Sequence, residues 1–289
     1  MKPFCYFLDI DGTMIGDVSP QVYEWDIVTK YDPSKLPQLK KNICSQLSSG
    51  LLRKGLSTFL DFLRSRHGQD GCEFFVYTAS DTKWANFIVP CIETVIGQKF
   101  NRPLFTRPNC IRANGGEFKK SLVHISPAVI RKLRPKYGSD NMDAMNVMDV
   151  MGRFVLVDNN RVLNKSEEGR LILCPTYGYV DLYDILRLVP EDILQLNFIE
   201  IASILQSHGL FPEMAESTRV ALPFQVFKAI YYSTIGKQIK ENIKQELFIS
   251  EDAFWTRLGN ILHAHKDTNT LKDSSVRSIN DALARATRS

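Results

Sequence analysis

The chain has 289 residues, of which 44% are hydrophobic and 24% are charged, a balance typical of a folded globular protein. Its apolar runs stay well below the ~18 residues of a membrane-spanning helix, and a strand-like run starts at Phe4, so we expect neither a membrane partner nor a signal peptide. The formal net charge of +4 is compatible with an anionic partner but too weak to predict nucleic acid as one. Six cysteines without a Cys-x-x-Cys pair favour reduced thiols and a cytoplasmic or nuclear protein.

Strand-like and helix-like segments alternate over the first two thirds of the chain. The predicted elements, in chain order, are a strand over 4–8, a helix over about 52–66, a strand over 73–78, a helix from 80 or 81 to about 92, a helix opening at Ser126-Pro127, a strand over 154–157, a short strand over 171–173 and a helix over about 180–188. This alternation predicts an α/β fold, with a Rossmann-like parallel central sheet flanked by helices.

Three segments interrupt the alternation, and the last third of the chain departs from it. The segment from residue 14 to residue 50 is polar and broken by prolines, and a short alternating piece in it contains Tyr23 and Trp25, which predicts a small flap or hairpin. A second hairpin is expected at about 103–113, and a polar, methionine-rich insertion at about 135–151. Beyond Pro190 only helical periodicity remains, through residue 248 and again over 254–262. We therefore predict a core over residues 1–189 and an all-helical C-terminal subdomain over 190–289.

Polar side chains follow three of the predicted strands at the point where each strand ends. They are Asp9 and Asp11, then Thr78, then Asp158 and Asn159. The carboxyl ends of parallel strands meet at one edge of a sheet, where ligands bind. Two acids after an apolar run resist desolvation unless a cation lies between them. With Lys119-Lys120 between the second and third strands, the set predicts metal-assisted phosphoryl transfer.

Each of these residues has an expected role. Asp9 is expected to be the nucleophile that forms an aspartyl-phosphate, while Asp11 protonates the leaving group and then activates water. Thr78 would hydrogen-bond a phosphoryl oxygen, and Lys119 or Lys120 would neutralise the phosphorylated aspartate. The expected Mg²⁺ ligands are Asp9, Asp158 and the backbone carbonyl oxygen of Asp11, with Asn159 orienting a metal-bound water. The residues expected to bind the substrate are Gly12, Thr13, Ala79 and Ser80.

The motifs also occur in the order of a known family. They are Phe7-Leu8-Asp9-Ile10-Asp11-Gly12-Thr13, Leu52-Arg53-Lys54-Gly55-Leu56, Val76-Tyr77-Thr78-Ala79-Ser80 followed by Trp84-Ala85, Lys120-Ser121-Leu122, and Val155-Leu156-Val157-Asp158-Asn159. The chain resembles the haloacid dehalogenase superfamily of phosphatases, and within it the NLI-interacting-factor-like branch. That branch includes the phosphatases of the RNA polymerase II C-terminal domain, and it has compact members in large DNA viruses.

The resemblance covers roughly residues 3–190 and implies a Mg²⁺-dependent phosphatase, with Lys120 rather than Lys119 as the catalytic lysine. The chain departs from the family pattern at Lys54, where a proline is usual, and at Asn160-Arg161, where Ser-Pro is usual. The helical C-terminal region has no recognised counterpart. These departures leave the expected catalytic residues in place and bear on the identity of the substrate.

Three functional hypotheses follow. The first is a phosphoserine or phosphothreonine protein phosphatase, favoured because the chain shows no large cap insertion, located in the cytoplasm or nucleus (the host cytoplasm if viral). The second is the same chemistry on a nucleotide, a nucleic-acid end or a small metabolite. The third is a catalytically weak fold that serves as a protein-binding module. His263 and His265, two residues apart, do not share a helix face and are not predicted to bind metal.

Overall fold

The computed structural model describes residues 2–68, 71–112, 117–207, 209–242, 251–264 and 273–286. The strands are β1 (Phe4–Leu8), β2 (Cys72–Val76), β3 (Ile111–Arg112), β4 (Phe118–Lys119), β5 (Phe154–Asp158) and β6 (Leu171–Leu173). The helices are α1 (Ser19–Tyr31), α2 (Leu36–Gln46), α3 (Leu56–His67), α4 (Thr82–Ile96), α5 (Leu122–Tyr137), α6 (Ser139–Asp143), α7 (Val147–Arg153), α8 (Glu191–Ser207), α9 (Glu216–Val220), α10 (Phe224–Asn242), α11 (Phe254–Ala264) and α12 (Asp273–Ala286).

The central feature is a four-stranded parallel sheet in the order β2-β1-β5-β6. Leu8, the last residue of β1, is in register with Val76 of β2 and Val157 of β5. Every residue of β1, β2 and β5 is buried, as in parallel sheets with both faces covered. The register brings the residues that follow these three strands to one edge of the sheet. The predicted parallel α/β core is confirmed.

Aromatic side chains pack one face of this sheet. The Phe7 ring lies 5.3 Å from the rings of both Phe75 and Phe154 (centroid to centroid), and 6.2 Å from that of Phe105. Leu122 and other apolar residues of α5 belong to the same buried cluster. This packing holds the three strands that lead to the polar edge in a fixed relation to one another.

The chain divides into two compact units, and each is assembled from separate stretches. The first comprises residues 1–16, 52–178 and 252–289 and contains the sheet. The second comprises residues 17–51 and 179–251 and has a buried core that includes Ile27, Ile201 and Phe227. The sequence predicts a different division, with a single boundary near residue 189 between a core and a C-terminal subdomain, and this division remains a prediction.

Of the flap or hairpin predicted between residues 14 and 50, the hairpin is wrong, because this segment forms α1 and α2. Pro20 and Pro37 lie in the first turns of these helices. Proline at that position costs no hydrogen bond, since the first backbone N–H groups of a helix have no intrahelical partner. The prolines therefore lie where helices begin, whereas their spacing in the sequence alone suggests a segment without regular secondary structure.

Other predicted boundaries also shift. The hairpin expected at 103–113 is a 3-10 turn at Arg107–Asn109, and β3 pairs with β4 further along. The segment at 135–151 carries the end of α5, then α6 and most of α7. The helix expected to open at Ser126-Pro127 begins at Leu122, with Ser121 as its N-cap. The helix expected over 180–188 is reduced to turns at 185–188.

Some expectations fall outside the described residues, namely the helical pattern over 243–248 and His265. Within the part of the chain that the structure describes, no helix is both long and apolar enough to cross a membrane. All six cysteines are free, as predicted.

Candidate active site

Three segments of the first unit meet at the carboxyl edge of the sheet. Asp9 follows β1, Asp158 ends β5, and Lys120 lies two residues before α5. The Lys120 ammonium donates to Asp9 Oδ1 at 2.7 Å and to Asp158 Oδ2 at 2.6 Å. The three residues are 2%, 6% and 1% exposed for Lys120, Asp9 and Asp158. The structure thus brings together three of the predicted site residues in one buried ionic cluster.

The charges in this cluster control one another. Burial alone would lower the pKa of Lys120, but the charges of Asp9 and Asp158 outweigh it and hold that pKa above its ordinary value. Burial raises the pKa of Asp158 to about 6, and the charge of Asp9 adds to this effect while Lys120 opposes it. One ammonium therefore compensates two carboxylates incompletely, and the cluster favours further positive charge.

The backbone and a buried acid fix the position of Lys120. Its backbone N–H donates to Val162 O at 2.7 Å, and its carbonyl accepts from Asn164 N at 2.9 Å. Glu167 accepts from Ser121 Oγ at 2.6 Å and from the Leu122 and Val123 backbone N–H groups at 2.6 and 3.2 Å. A carboxylate at a helix N-terminus satisfies backbone donors that have no partner within the helix. Glu167 thereby anchors α5 immediately after the lysine.

A tight turn after β1 places Thr13 against Asn159. Gly12 has φ +72°, and a side chain there would bring a Cβ to within 2.7 Å of Asn159 Nδ2. Thr13 Oγ1 accepts from Asn159 N at 3.1 Å and lies 3.4 Å from Asp9 Oδ2 and 3.3 Å from Asn159 Oδ1. Glycine is required at this turn both for its backbone conformation and for space. The turn therefore joins the ends of β1 and β5.

Asp11 has surroundings that differ from those of Asp9. Ser80 Oγ donates to Asp11 Oδ2, and Ser80 N donates to Thr78 Oγ1 at 3.1 Å. Asp11 is half-buried, while Thr78 is 1% exposed. The loop that holds Thr78 and Ser80 is further fixed by Arg107, whose Nε donates to Ala79 O at 2.8 Å. Asp9 is thus bound to the buried lysine, and Asp11 to the loop after β2.

The oxygen atoms at this edge fit a magnesium ion. Asp9 and Asp158 share one cation already, and the Asn159 amide oxygen lies beside Thr13. Within the described residues, no three or more His, Cys, Asp or Glu side chains are grouped to hold a metal. Mg²⁺ does not need such a group, since it commonly binds one or two carboxylates and keeps several waters.

The match to known proteins is consistent with this geometry. A sequence model of the NLI interacting factor-like phosphatases matches residues 4–189, well over half of the chain. The chain belongs to this family. This membership confirms the family that the order of the motifs predicted.

Comparison with solved structures finds a similarity to Fcp1, described as an essential RNA polymerase II CTD phosphatase. The identity is 16% and the TM-score is 0.40, and the match covers 99% of this chain and 66% of that one. The chain therefore spans just under two thirds of the length of that structure. A comparison with curated proteins gives no match. Nothing in these matches indicates a viral origin.

Two residues of the site were missed in the sequence. Glu167 lies in a polar stretch, 46 residues after Ser121, and nothing in its neighbours marks it as buried. Tyr77 was interpreted only as part of a buried strand, yet its hydroxyl accepts from Ser121 N at 3.1 Å and donates to Asn109 O at 2.9 Å. A buried acid paired with a helix start is a contact that only the fold reveals.

Proposed function

We propose that this protein is a Mg²⁺-dependent phosphomonoesterase that works through an aspartyl-phosphate and acts on phosphoserine or phosphothreonine in proteins. The observation that carries the proposal is the buried cluster in which Lys120 bridges Asp9 and Asp158. A single ammonium between two buried carboxylates leaves the cluster short of positive charge. Such a site suits a second cation together with a phosphate dianion.

The proposed first step forms a bond between a carboxylate oxygen of Asp9 and phosphorus, while the bond from phosphorus to the leaving oxygen breaks. Asp11 gives its proton to that oxygen, so that the alcohol leaves neutral. Thr78 and the backbone N–H groups after it hydrogen-bond the phosphoryl oxygens, and Lys120 compensates their charge. When bound by Asp9, Asp158 and the Asp11 carbonyl oxygen, Mg²⁺ would supply the charge compensation that lets a carboxylate approach a phosphate.

The second step frees the enzyme. Asp11, now a carboxylate, takes a proton from a water molecule whose oxygen attacks the phosphorus of phosphorylated Asp9. The bond between phosphorus and Asp9 breaks, and inorganic phosphate leaves. The contact between Ser80 Oγ and Asp11 supports this role, because it holds the carboxyl of Asp11 against the loop that carries Thr78.

The proposal of a protein substrate is supported by basic groups near the loop after β2. Arg107 and Arg112 are exposed, and their guanidinium carbons lie 5.7 and 5.6 Å from the centre of the Phe118 ring. Guanidinium groups pair well with anionic groups on a protein surface. A cytoplasmic or nuclear location is part of the same proposal.

A generic aryl phosphate tests the chemistry independently of the physiological substrate. Wild type, Asp9→Asn and a matched Asp140→Asn control are assayed with and without Mg²⁺. Asp140 is exposed on α6, so its substitution should leave turnover unchanged. We expect metal-dependent turnover that Asp9→Asn abolishes while the protein remains folded by circular dichroism. Normal turnover by Asp9→Asn would refute the proposal.

A second assay identifies the substrate class. Phosphoserine and phosphothreonine peptides are compared with nucleotides and sugar phosphates at equal concentration. The proposal requires higher kcat/KM for the peptides. A preference for nucleotides or sugar phosphates would assign the same chemistry to a small molecule. An inactive wild type would favour a protein-binding role.

A further inference from the structure

A buried arginine links the far end of the chain to the loops of the candidate site. Arg53 has a side chain that is 2% exposed, and Asp252 holds it through two bonds, from Nε to Oδ2 at 2.8 Å and from Nη2 to Oδ1 at 2.9 Å. Its guanidinium carbon also lies 4.5 Å from the centre of the Phe254 ring and 5.4 Å from that of Tyr177. A two-point bond between planar groups fixes orientation as well as distance.

The remaining bonds of Arg53 reach two loops. Its backbone N–H donates to Met14 O at 3.0 Å, and its Nη1 donates to Pro175 O at 2.9 Å. The first is the turn after β1, which contains Gly12 and Met14, and the second follows β6. Arg53 therefore holds the turn after β1 and the segment after β6 at a set separation.

The same two loops hold Asn159 and the turn at Gly12. Tyr177 N donates to Gly12 O at 2.8 Å, and Asn159 Nδ2 donates to Thr176 Oγ1 at 3.1 Å. Asn159 is a residue that we expect to orient a metal-bound water. A displacement of the segment after β6 would thus move both the turn that carries Thr13 and the amide of Asn159.

Asp252 lies outside the residues that match the family, yet it belongs to the same compact unit as the sheet. The helix that follows it packs on α3, with the Trp255 and Phe59 rings 5.0 Å apart. Arg66 Nη1 of α3 also donates to Leu262 O of α11. The segment from Asp252 onward is therefore built into the unit that contains the candidate site.

We infer that Asp252 is a positioning residue for catalysis, which acts through Arg53 on the loops that hold Gly12 and Asn159. This inference rests on the proposed phosphatase function for its kinetic consequence. Its structural consequence, the ordering of the two loops by Asp252, is independent of activity. The segment that leads into α11 thus contributes to the site through Arg53, which Asp252 follows by 199 residues in the sequence.

The test uses the full chain with Asp252→Asn, and Glu251→Gln as the matched control, since Glu251 is the exposed neighbour. Aryl phosphate turnover is measured with saturating Mg²⁺ at a temperature well below the lowest melting midpoint. We expect kcat to fall by about ten- to a hundredfold with little change in KM, because small displacements of reacting groups cost rate more than binding. The control should retain wild-type values.

Hydrogen exchange, followed by mass spectrometry, provides a measurement that does not need activity. Peptides that cover residues 10–15 and 173–178 should lose protection in Asp252→Asn, while peptides from α5 should not. Unchanged exchange in the two loops would overturn the inference even if the wild type hydrolyses phosphate esters. If the wild type proved inactive, the proposed function would fail, and the exchange pattern would still decide whether Asp252 orders these loops.

A double variant separates positioning from stability. Arg53→Met with Asp252→Leu removes the ion pair without leaving a buried charge, so thermal stability should recover. The bond to Pro175 is lost in this variant, and kcat should therefore stay low. Recovery of wild-type kcat in the double variant would overturn the inference. Faster hydrogen exchange in the two loops of Asp252→Asn, with kcat unchanged, would also overturn it.

Discussion

Both compact units bury charged side chains, but the arrangement around these side chains differs. In the first unit, Asp9, Lys120 and Asp158 come from three separate segments and meet at the edge of the sheet. In the second, Glu24 is fully buried on α1 and accepts from Tyr183 Oη and Arg187 Nε. Burial raises the pKa of Glu24 as it raises that of Asp158.

A raised pKa therefore does not by itself identify a catalytic group. The cluster around Glu24 is compensated by a hydroxyl and a guanidinium that bond to its carboxylate directly. The cluster around Asp158 has two acids for one ammonium, next to a turn and a loop that carry further hydrogen-bonding groups. Two features distinguish the candidate site from a structural ion pair. Its charged side chains come from several strand ends, and its two carboxylates face a single ammonium.

The largest expected effect that tests this distinction is that of Lys120→Met. It leaves Asp9 and Asp158 buried without a cation, so the free energy of unfolding should fall by about 3 to 5 kcal/mol in the absence of metal. Turnover should fall by about 10²- to 10³-fold, as when one donor to a developing anion is removed. Denaturant titration with and without Mg²⁺ checks the first value, and aryl phosphate kinetics checks the second.

Lys119→Met is the control for this variant. Lys119 has a side chain that is 33% exposed and pairs with Glu117 at 3.3 Å. Its substitution should change neither quantity appreciably, because exposed ion pairs contribute little. A greater loss of kcat in Lys119→Met than in Lys120→Met would show that our proposal assigns the catalytic role to the wrong lysine.

A smaller effect is expected for Glu167→Gln, which removes the carboxylate that anchors the start of α5. We expect kcat to fall about tenfold, because Lys120 precedes that helix, and stability to fall by about 1 to 3 kcal/mol, because buried donors lose their acceptor. The measurements are kinetics and denaturant unfolding. Glu168→Gln serves as control, since Glu168 is the exposed neighbour. Equal kcat values for the two variants would show that Glu167 does not act through Lys120.

The smallest effect is expected in the second unit, for Glu24→Gln. The folded-state pKa of Glu24 is raised above its ordinary value of 4.5, chiefly by burial. Its contribution to stability is therefore full below pH 4.5 and declines as the pH rises through the folded-state pKa. Unfolding measured across this range should show a flatter pH dependence in the variant, with kcat unchanged.

Glu213→Gln, an exposed site in the same unit, should leave the pH dependence as in the wild type. A loss of turnover in Glu24→Gln at unchanged stability would contradict the comparison, since it would give the buried acid of the helical unit a part in catalysis.

The strands and the order of the motifs could be predicted because each depends on local sequence. Strands buried on both faces are continuous apolar runs, and the acids stand directly after them. The meeting of Asp9 with Asp158 also followed, since parallel strands end at one edge. The family match supports the overall assignment, while the roles of the individual residues remain proposals.

The parts that were not predicted depend on contacts between distant residues or on an ambiguous local pattern. Glu167 and Asp252 are acids in polar stretches, and only the fold shows that each is buried against a specific partner. A proline breaks a helix when it lies in the interior but is favourable in the first turn, and the spacing of prolines alone does not separate these cases. Pro20 and Pro37 both lie in a first turn. The helices α1 and α2 were missed for this reason.

The amide of Asn280 has a consequence for how the protein can be shortened. Asn280 Oδ1 accepts from Leu173 N at 3.0 Å, and its Nδ2 donates to Leu171 O at 2.8 Å. One side chain thus substitutes for a neighbouring strand along the outer edge of β6. A fragment trimmed to residues 4–189 keeps every proposed catalytic residue but exposes this edge, and unpaired strand edges promote association between molecules. Fragments intended to stay monomeric should therefore retain the chain through α12.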